Sequence, residues 1–372
     1  MANNFNEKTA EVGSFIKCKE CGANLKYLPG TPYLNCEFCG TKNEIESEKD
    51  IEIIENDFEK FLIEKENLEI KQEISTVNCT NCGASTTLLL NITSSSCPYC
   101  DTPLVIKNAT TSTILKPAYI LPFKIDRKKA SSEFENWVKG LWFAPDKLKD
   151  YASHSAEKLN GIYMPYWTYD SNTVTHYSAM RGVYYYVTES YTNSEGKAQT
   201  RQVQRTNWFP ASGTVYNKFD DVLVVSSKSL PENLTNDLEP WDLKELSAYN
   251  DKFLTGFITE SYQVDLKSGF EKAKSKMQSV IQSSVISDIG GDVQQVSSLN
   301  SSYNDIKFKH ILLPVWLSSY KYKNKVFRFL INARTGEVQG ERPYSALKIT
   351  LLVISILGSV GIIIYFAQKI NS

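Results

Sequence analysis

The sequence predicts an α+β chain. Its parts are two small cysteine-clasped ribbons, an acidic linker helix between them, an internally duplicated body of antiparallel sheets and helices, and a C-terminal transmembrane helix. Three observations carry this reading. The 8 cysteines fall into two identically spaced quartets, strand and helix patterns recur along the body, and an apolar run closes the chain. With 372 residues the chain holds one sizeable domain plus small modules, and 12% aromatic residues, among them 21 tyrosines, favour a β-rich body. A formal net charge of −1 gives no global pull towards nucleic acid.

The first ribbon, residues 14–45, contains Cys18, Cys21, Cys36 and Cys39; the second, residues 76–108, contains Cys79, Cys82, Cys97 and Cys100. Adding 61 to each position of the first quartet gives the second, so the pattern C-x2-C-x14-C-x2-C occurs twice and no cysteine is left over. Two intervening residues let a tight turn aim both sulfurs at one ion, and the longer spacer admits a short hairpin that brings in the second turn. Gly22, Gly40 and Gly83 follow three of the four pairs, where a left-handed backbone turns amides towards sulfur, and Asp101 follows the fourth. Four thiolates in a cytoplasmic chain make a closed tetrahedral site, so two structural Zn2+ ions are expected, with iron in a rubredoxin-like site as the rival. Each ribbon is too small for its own core, and metal binding is expected to supply its folding energy. Cys97-Pro98-Tyr99-Cys100 taken alone reads like a thiol–disulfide active site. It is instead the second half of a ribbon, with no βαβ pattern around it.

Between the ribbons, residues 46–75 are strongly acidic: Glu46 to Glu73 holds 11 acidic residues against Lys49, Lys60, Lys65 and Lys71. Apolar residues at Ile51, Ile54, Phe58, Phe61 and Leu68 recur at helical spacing and predict one amphipathic helix. It serves either as a spacer whose stripe packs on a neighbour or as a docking helix for a partner. Neither ribbon has a basic face. Lys17, Lys19, Lys26 and Lys42 of the first are offset by Glu20, Glu37 and Glu44, and the second is nearly uncharged. Protein contact or pure structure therefore outranks phosphate binding.

The body, residues 116–346, reads as a duplication. Leu121-Pro122-Phe123-Lys124-Ile125-Asp126 leads into a helix through Trp137, and Ile162-Tyr163-Met164-Pro165-Tyr166-Trp167 follows. Ser261-Tyr262-Gln263-Val264-Asp265 leads into a helix from Leu266 to about Ile286, and Ile311-Leu312-Leu313-Pro314-Val315-Trp316 follows. Asp126 and Asp265 stand where helix N-caps belong. Val183–Tyr191 and Ala198–Phe209 around Asn193-Ser194-Glu195-Gly196 predict a hairpin, as do Val326–Asn332 and Glu337–Gly340 around Arg334-Thr335-Gly336.

The chain has no phosphate-cradling Gly-Lys-Ser/Thr loop, no His-Glu-x-x-His and no Gly-x-Ser-x-Gly. His154, His176 and His310 are far apart, and Glu189 and Asp220-Asp221 read as charged turn residues rather than paired acids. No enzyme is expected.

Residues 349–367 carry no charge, and at 1.5 Å per residue they span about 28 Å, the thickness of a bilayer's hydrocarbon core. Lys321, Lys323, Lys325, Arg328, Arg334, Arg342 and Lys348 precede the run and only Lys369 follows it. The cationic side stays in the cytoplasm, which predicts a single-pass, tail-anchored membrane protein with a cytoplasmic N-terminus. Met1-Ala2-Asn3-Asn4-Phe5-Asn6 lacks the apolar core of a secretory signal.

Further motifs lie in series along the body: Gly161 through Trp167, Ser212-Gly213-Thr214-Val215, Phe219 through Val224, Leu238-Glu239-Pro240-Trp241-Asp242-Leu243, Phe253-Leu254-Thr255-Gly256-Phe257, Leu313-Pro314-Val315-Trp316, and Thr335 through Pro343. Over roughly residues 116–348 this series resembles a family of bacterial membrane-anchored, TFIIB-type zinc-ribbon proteins. Members often carry primosomal or helicase-like names, which the missing nucleotide loop contradicts here. The resemblance implies one or two ribbons and an association with phage-shock-type envelope-stress complexes, in which a membrane complex recruits a peripheral membrane-protecting protein. Asn332-Ala333-Arg334 departs from the Asn-Gly-Gln expected at that turn. The expected function is a non-enzymatic adaptor that gathers cytoplasmic or peripheral membrane proteins, members of a membrane complex, at the bilayer. The alternative is a zinc-ribbon protein linking nucleic acid to the membrane.

Overall fold

The computed structural model describes residues 16–46, 53–64, 71–80, 84–87, 94–99, 102–105, 110–145, 148, 159–194, 196–322 and 325–370. Three short strands, β1 (Lys26–Tyr27), β2 (Tyr33–Asn35) and β3 (Lys42–Glu44), form the antiparallel sheet of the first ribbon. The helix expected over residues 46–75 is much shorter. Strand β4 (Asn56–Asp57) is followed by helix α1 (Phe58–Glu64), and strand β5 (Lys71–Asn78) occupies the end of the segment. Long-range pairing overrides the helical spacing: β4 pairs with Phe308 and Lys307, and β5 runs antiparallel to β9 (Thr110–Leu115). Ile74, Thr76 and Val77 suit a strand better than a helix. The apolar stripe finds its neighbour nonetheless, with Phe58 buried and Phe61 and Leu62 packed against the body. The second ribbon adds β6 (Ser85–Thr87), paired with β5, and β7 (Ser94–Ser96), paired with β8 (Pro103–Val105).

The body is built on one nine-stranded sheet. Its spine comprises β11 (Asn160–Thr192), β12 (Ala198–Val225) and β15 (Val293–Tyr322), with β11 central and antiparallel to both. Short strands β10 (Tyr119–Ile120) and β14 (Ile258–Thr259) add in parallel to β15 and β11, β13 (Ser247–Ala248) pairs with β10, and β16 (Lys325–Asn332) and β17 (Val338–Gly340) extend the β15 side. Both expected hairpins form. Gly196 and Gly336 take φ of 78° and 87°, which supplies the left-handed residue that each turn requires.

The duplication is visible in the register. Met164 faces Leu313, flanked by Tyr163 against Pro314 and Pro165 against Leu312, so the two Pro-x-Trp strands cross as equivalents. The Pro165 carbonyl accepts from Ser226 N at 3.0 Å, and the Pro314 carbonyl accepts from Ala333 N at 3.1 Å. Each proline therefore turns its missing N–H away from the shared strand pair, towards Ser226 or Ala333, whose carbonyls accept from Gln263 and Val264 or from Lys124 and Ile125 instead.

Among the described residues, two long helices cover the sheet. Helix α2 (Arg127–Gly140) is capped by Asp126 and α4 (Leu266–Ile289) by Asp265, each carboxylate accepting from an amide three residues on. Between them stands the short α3 (Glu232–Asn236). Helix α4 buries Leu266, Phe270, Ala273, Met277, Ile281, Val285 and Ile289, a continuous stripe, against Trp167, Tyr169, Tyr177 and Val215 of β11 and β12. Each of these side chains other than Ala273 contributes ~1.5–3 kcal/mol. Beyond α4 the β11–β12 hairpin continues alone as an arm with exposed Tyr184, Tyr185, Tyr186, Tyr191, Trp208 and Phe209.

Helix α5 (Ala346–Ile370) closes the chain, and its stretch Ala346–Phe366 is long and apolar enough to cross a membrane, with none of it buried in the protein. It starts three residues before the predicted run. The chain enters it past Glu341, whose N–H bonds Arg328 O, and Arg328 lies opposite Ser319. From Ser319 back to Val293, where the arm begins, β15 extends for about 85 Å.

Candidate metal centre

The four sulfurs of Cys18, Cys21, Cys36 and Cys39 all lie within 4.8 Å of one another. Two strand ends deliver them. Cys18 N donates to Ala23 O at 2.7 Å and Gly22 N to Cys18 O at 2.9 Å; Cys36 N donates to Thr41 O at 3.0 Å and Gly40 N to Cys36 O at 2.9 Å. Gly22 and Gly40 take φ of 71° and 74°, the left-handed turns expected from sequence. The Cys18–Cys39 and Cys21–Cys36 sulfur separations are 3.6 and 3.4 Å. A tetrahedral ion with metal–sulfur bonds near 2.3 Å sets its ligands about 3.8 Å apart, so the quartet is shaped to hold a metal ion such as zinc.

Charge makes the same point. Hydrogen bonds from the Thr41 hydroxyl and amide hold the Cys39 thiol down at about 6. At Cys21 the Ala23 amide pulls downward, but the neighbouring sulfurs of Cys36, Cys39 and Cys18, with burial, push the thiol up to about 12. Sulfurs this close do not all ionise unaided, and a divalent cation would supply the missing charge. Cys18 and Cys36 are buried, whereas Cys21 and Cys39 face solvent. Between two ligands, on the Cys36–Cys39 turn, Phe38 is 81% exposed.

The second quartet repeats the backbone device. Cys79 N donates to Ala84 O and Cys97 N to Thr102 O, both at 2.8 Å, with the same five-residue step as in the first ribbon. Both cysteines are buried. Cys82 and Cys100 lie outside the described residues, so one four-cysteine cluster stands complete.

Neither ribbon stands apart from the body. Leu25, Tyr27, Leu34 and Ile45 join a core with Phe123, Tyr163 and Trp316, and Gly30 N bonds Phe123 O at 2.8 Å. Val77, Ala84 and Tyr99 join Ile162, Met164 and Leu313 in a second core. Tyr99 also donates its hydroxyl to buried Glu260 at 2.7 Å. Glu260 accepts further bonds from Ser227 (2.8 Å), Ser229 and Gln263 (3.0 Å). Burial pushes its carboxyl up to about 7 despite these bonds.

Among the described residues, the remaining sequence candidates stand apart from one another. His176 is exposed and bonds Thr214, while buried His310 pairs Nδ1 with Leu115 O, and burial pushes it down to about 4, leaving it neutral. His154 lies outside the described residues. Glu189 is bridged by Arg205 and, at 3.6 Å, by Arg201. Carboxylate oxygens of Glu55, Asp170 and Asp220 come within 4.8 Å of one another. A cation already pairs with one of them: buried Lys309 sits 2.8 Å from Glu55, and 2.6 Å from Asp221 beside Asp220. Burial pushes Asp170 up to about 7, and its proton, with Lys309, outweighs burial at Glu55 and holds that carboxyl at about 2. Nothing in the residue pattern marks Glu55, Lys309 or Glu260, because charge alone does not reveal burial.

Comparison with known proteins adds one relative. The chain is 27% identical over 246 residues to the uncharacterized protein YdjG of Bacillus subtilis (strain 168), covering 66% of this chain and 69% of that one. No family model matches, and no solved structure matches.

Proposed function

We propose that the chain is a non-enzymatic, membrane-anchored zinc-ribbon adaptor that gathers cytoplasmic or peripheral membrane proteins at the inner membrane, in a complex answering envelope stress. The observation that carries the proposal is Phe38, an 81% exposed aromatic clasped between metal-ligand positions Cys36 and Cys39. Holding such a side chain in water is useful when a partner covers it, and rigid aromatic anchors dominate protein interfaces. Zinc at the quartet fixes the turn that presents it, supplying rigidity and no chemistry. The exposed aromatic arm favours the same class of partner. Its Arg201 and Arg205 are spent on Glu189, which leaves little free charge for phosphates.

The excess of cations ahead of the apolar run over the one after it supports the reading that the body lies in the cytoplasm. The test is affinity recovery of the full chain from detergent-solubilised membranes, comparing wild type with Phe38→Glu. The variant is expected to keep its zinc and lose a protein partner. An unchanged partner set overturns the proposal, and nuclease-sensitive recovery replaces it with the nucleic-acid reading.

A further inference from the structure

We propose that the loop after α2 is a second membrane contact, which lays the Trp142 indole into the headgroup layer of the lipid surface beside the anchor. The inference rests on reading α5 as a membrane span. Leu141 and Ala144 are buried in the body core, so the loop backbone is fixed, yet Trp142 between them is 78% exposed. The loop is tied to the root of the span at two points. Ser345 N donates to Phe143 O at 2.8 Å, and the Lys348 ammonium donates to Ala144 O at 2.9 Å. Ser345 immediately precedes α5, so Trp142 stands level with the start of the bilayer-length run.

The surroundings have interfacial chemistry. Tyr344 is 59% exposed, with the Arg342 guanidinium 5.5 Å from its ring, and Lys139 closes the last turn of α2. Indole and phenol rings carry an apolar body and one polar handle, which fits them to the boundary between acyl chains and water. The cations beside them suit anionic headgroups. A body hung on a single helix swivels; one held at α5 and Trp142 keeps one face to the bilayer. Its aromatic arm, at the far end of β15, then points away from the membrane.

The experiment uses the full chain reconstituted in phosphatidylcholine–phosphatidylglycerol vesicles containing lipid brominated near the top of the acyl chain. Tryptophan emission is compared for wild type, Trp142→Phe and the arm variant Trp208→Phe, with vesicle flotation run on all three. Flotation of all three with most of the quenched emission lost only in Trp142→Phe is the expected result. Flotation with equal quenching in all three overturns the loop contact while leaving the anchor intact. Failure of the wild type to float overturns the anchor, and the inference with it.

Discussion

Trp167 donates its indole N–H to the carbonyl of Val264 at 2.9 Å. Val264 is the residue immediately before the helix cap Asp265. The other half repeats the bond in mirror roles: Trp316 donates to Ile125 O at 2.8 Å, immediately before the cap Asp126. Each Pro-x-Trp strand thus fixes the entry of the other half's helix, so the halves are interlocked rather than stacked. The Ser226 carbonyl accepts from Gln263 and Val264, and the Ala333 carbonyl accepts from Lys124 and Ile125, which completes the equivalence.

Trp167→Phe keeps an aromatic ring but leaves the Val264 carbonyl without its buried donor. A loss of about 1–3 kcal/mol is expected, and Trp316→Phe should cost a similar amount at Ile125. Thermal unfolding of the detergent-solubilised chain measures both. A negligible shift in either variant would show that the bond does not set the helix entry.

Lys309 is the buried hub of a charge network. Lys309→Met removes the buried cation that pairs Glu55 and Asp221, and among the described residues leaves the more exposed Lys307, at 3.3 Å from Glu55. Breaking such a pair from one side costs about 3–5 kcal/mol. The midpoint of denaturant unfolding reads this loss, and a second change, Glu55→Gln, should recover part of it.

Glu260 gives the fold a pH dependence of definite sign. Its folded pKa of about 7 stands above the 4.5 of an ordinary glutamate. The folded state therefore binds the proton more tightly, so this stabilisation is complete below about pH 4.5 and is lost as pH rises through 7. The full effect is on the order of 3 kcal/mol. His310, with its pKa pushed down, acts oppositely at lower pH, so the informative quantity is the difference between wild type and Glu260→Gln. That difference should shift steadily between pH 4.5 and 7, and a flat difference would contradict the buried, protonated acid.

Metal removal should reach beyond the ribbon. Tyr27 donates to Phe123 O at 3.2 Å and packs edge-on to Phe253 at 5.2 Å, so the first ribbon shares the body's core. Chelation, or Cys36→Ser, is expected to lower the unfolding temperature of the body together with that of the ribbon. Calorimetry that shows an unchanged body transition after chelation would make the ribbon an independent module.

Local chemistry was legible in the sequence wherever one residue dictates its own geometry. The cysteine spacing, the left-handed Gly22 and Gly40, the Asp126 and Asp265 caps and the Gly196 turn all stand as their residue types require. What failed was the segment between the ribbons. Its Phe58, Phe61 and Leu62 spacing is helical, but the strand partners of Asn56 and Ile74 lie far along the chain and leave no local trace. The same limit hid the ribbon–body contacts. Tyr99 between two cysteines and Glu260 ahead of a helix cap carry no mark of the bond between them. Arg334, which departs from the turn expected by resemblance, is explained by its two-pronged bond to Asp242 and its bond to Pro122 O.

The most direct test of the adaptor account is photo-cross-linking from position 38 in living cells, with a photoreactive phenylalanine analogue in place of Phe38. The account predicts a discrete protein adduct that disappears when Cys39→Ser removes the metal clasp while the chain stays in the membrane. An adduct indifferent to Cys39→Ser, or no protein adduct at all, would contradict the claim that a metal-held aromatic captures the partner.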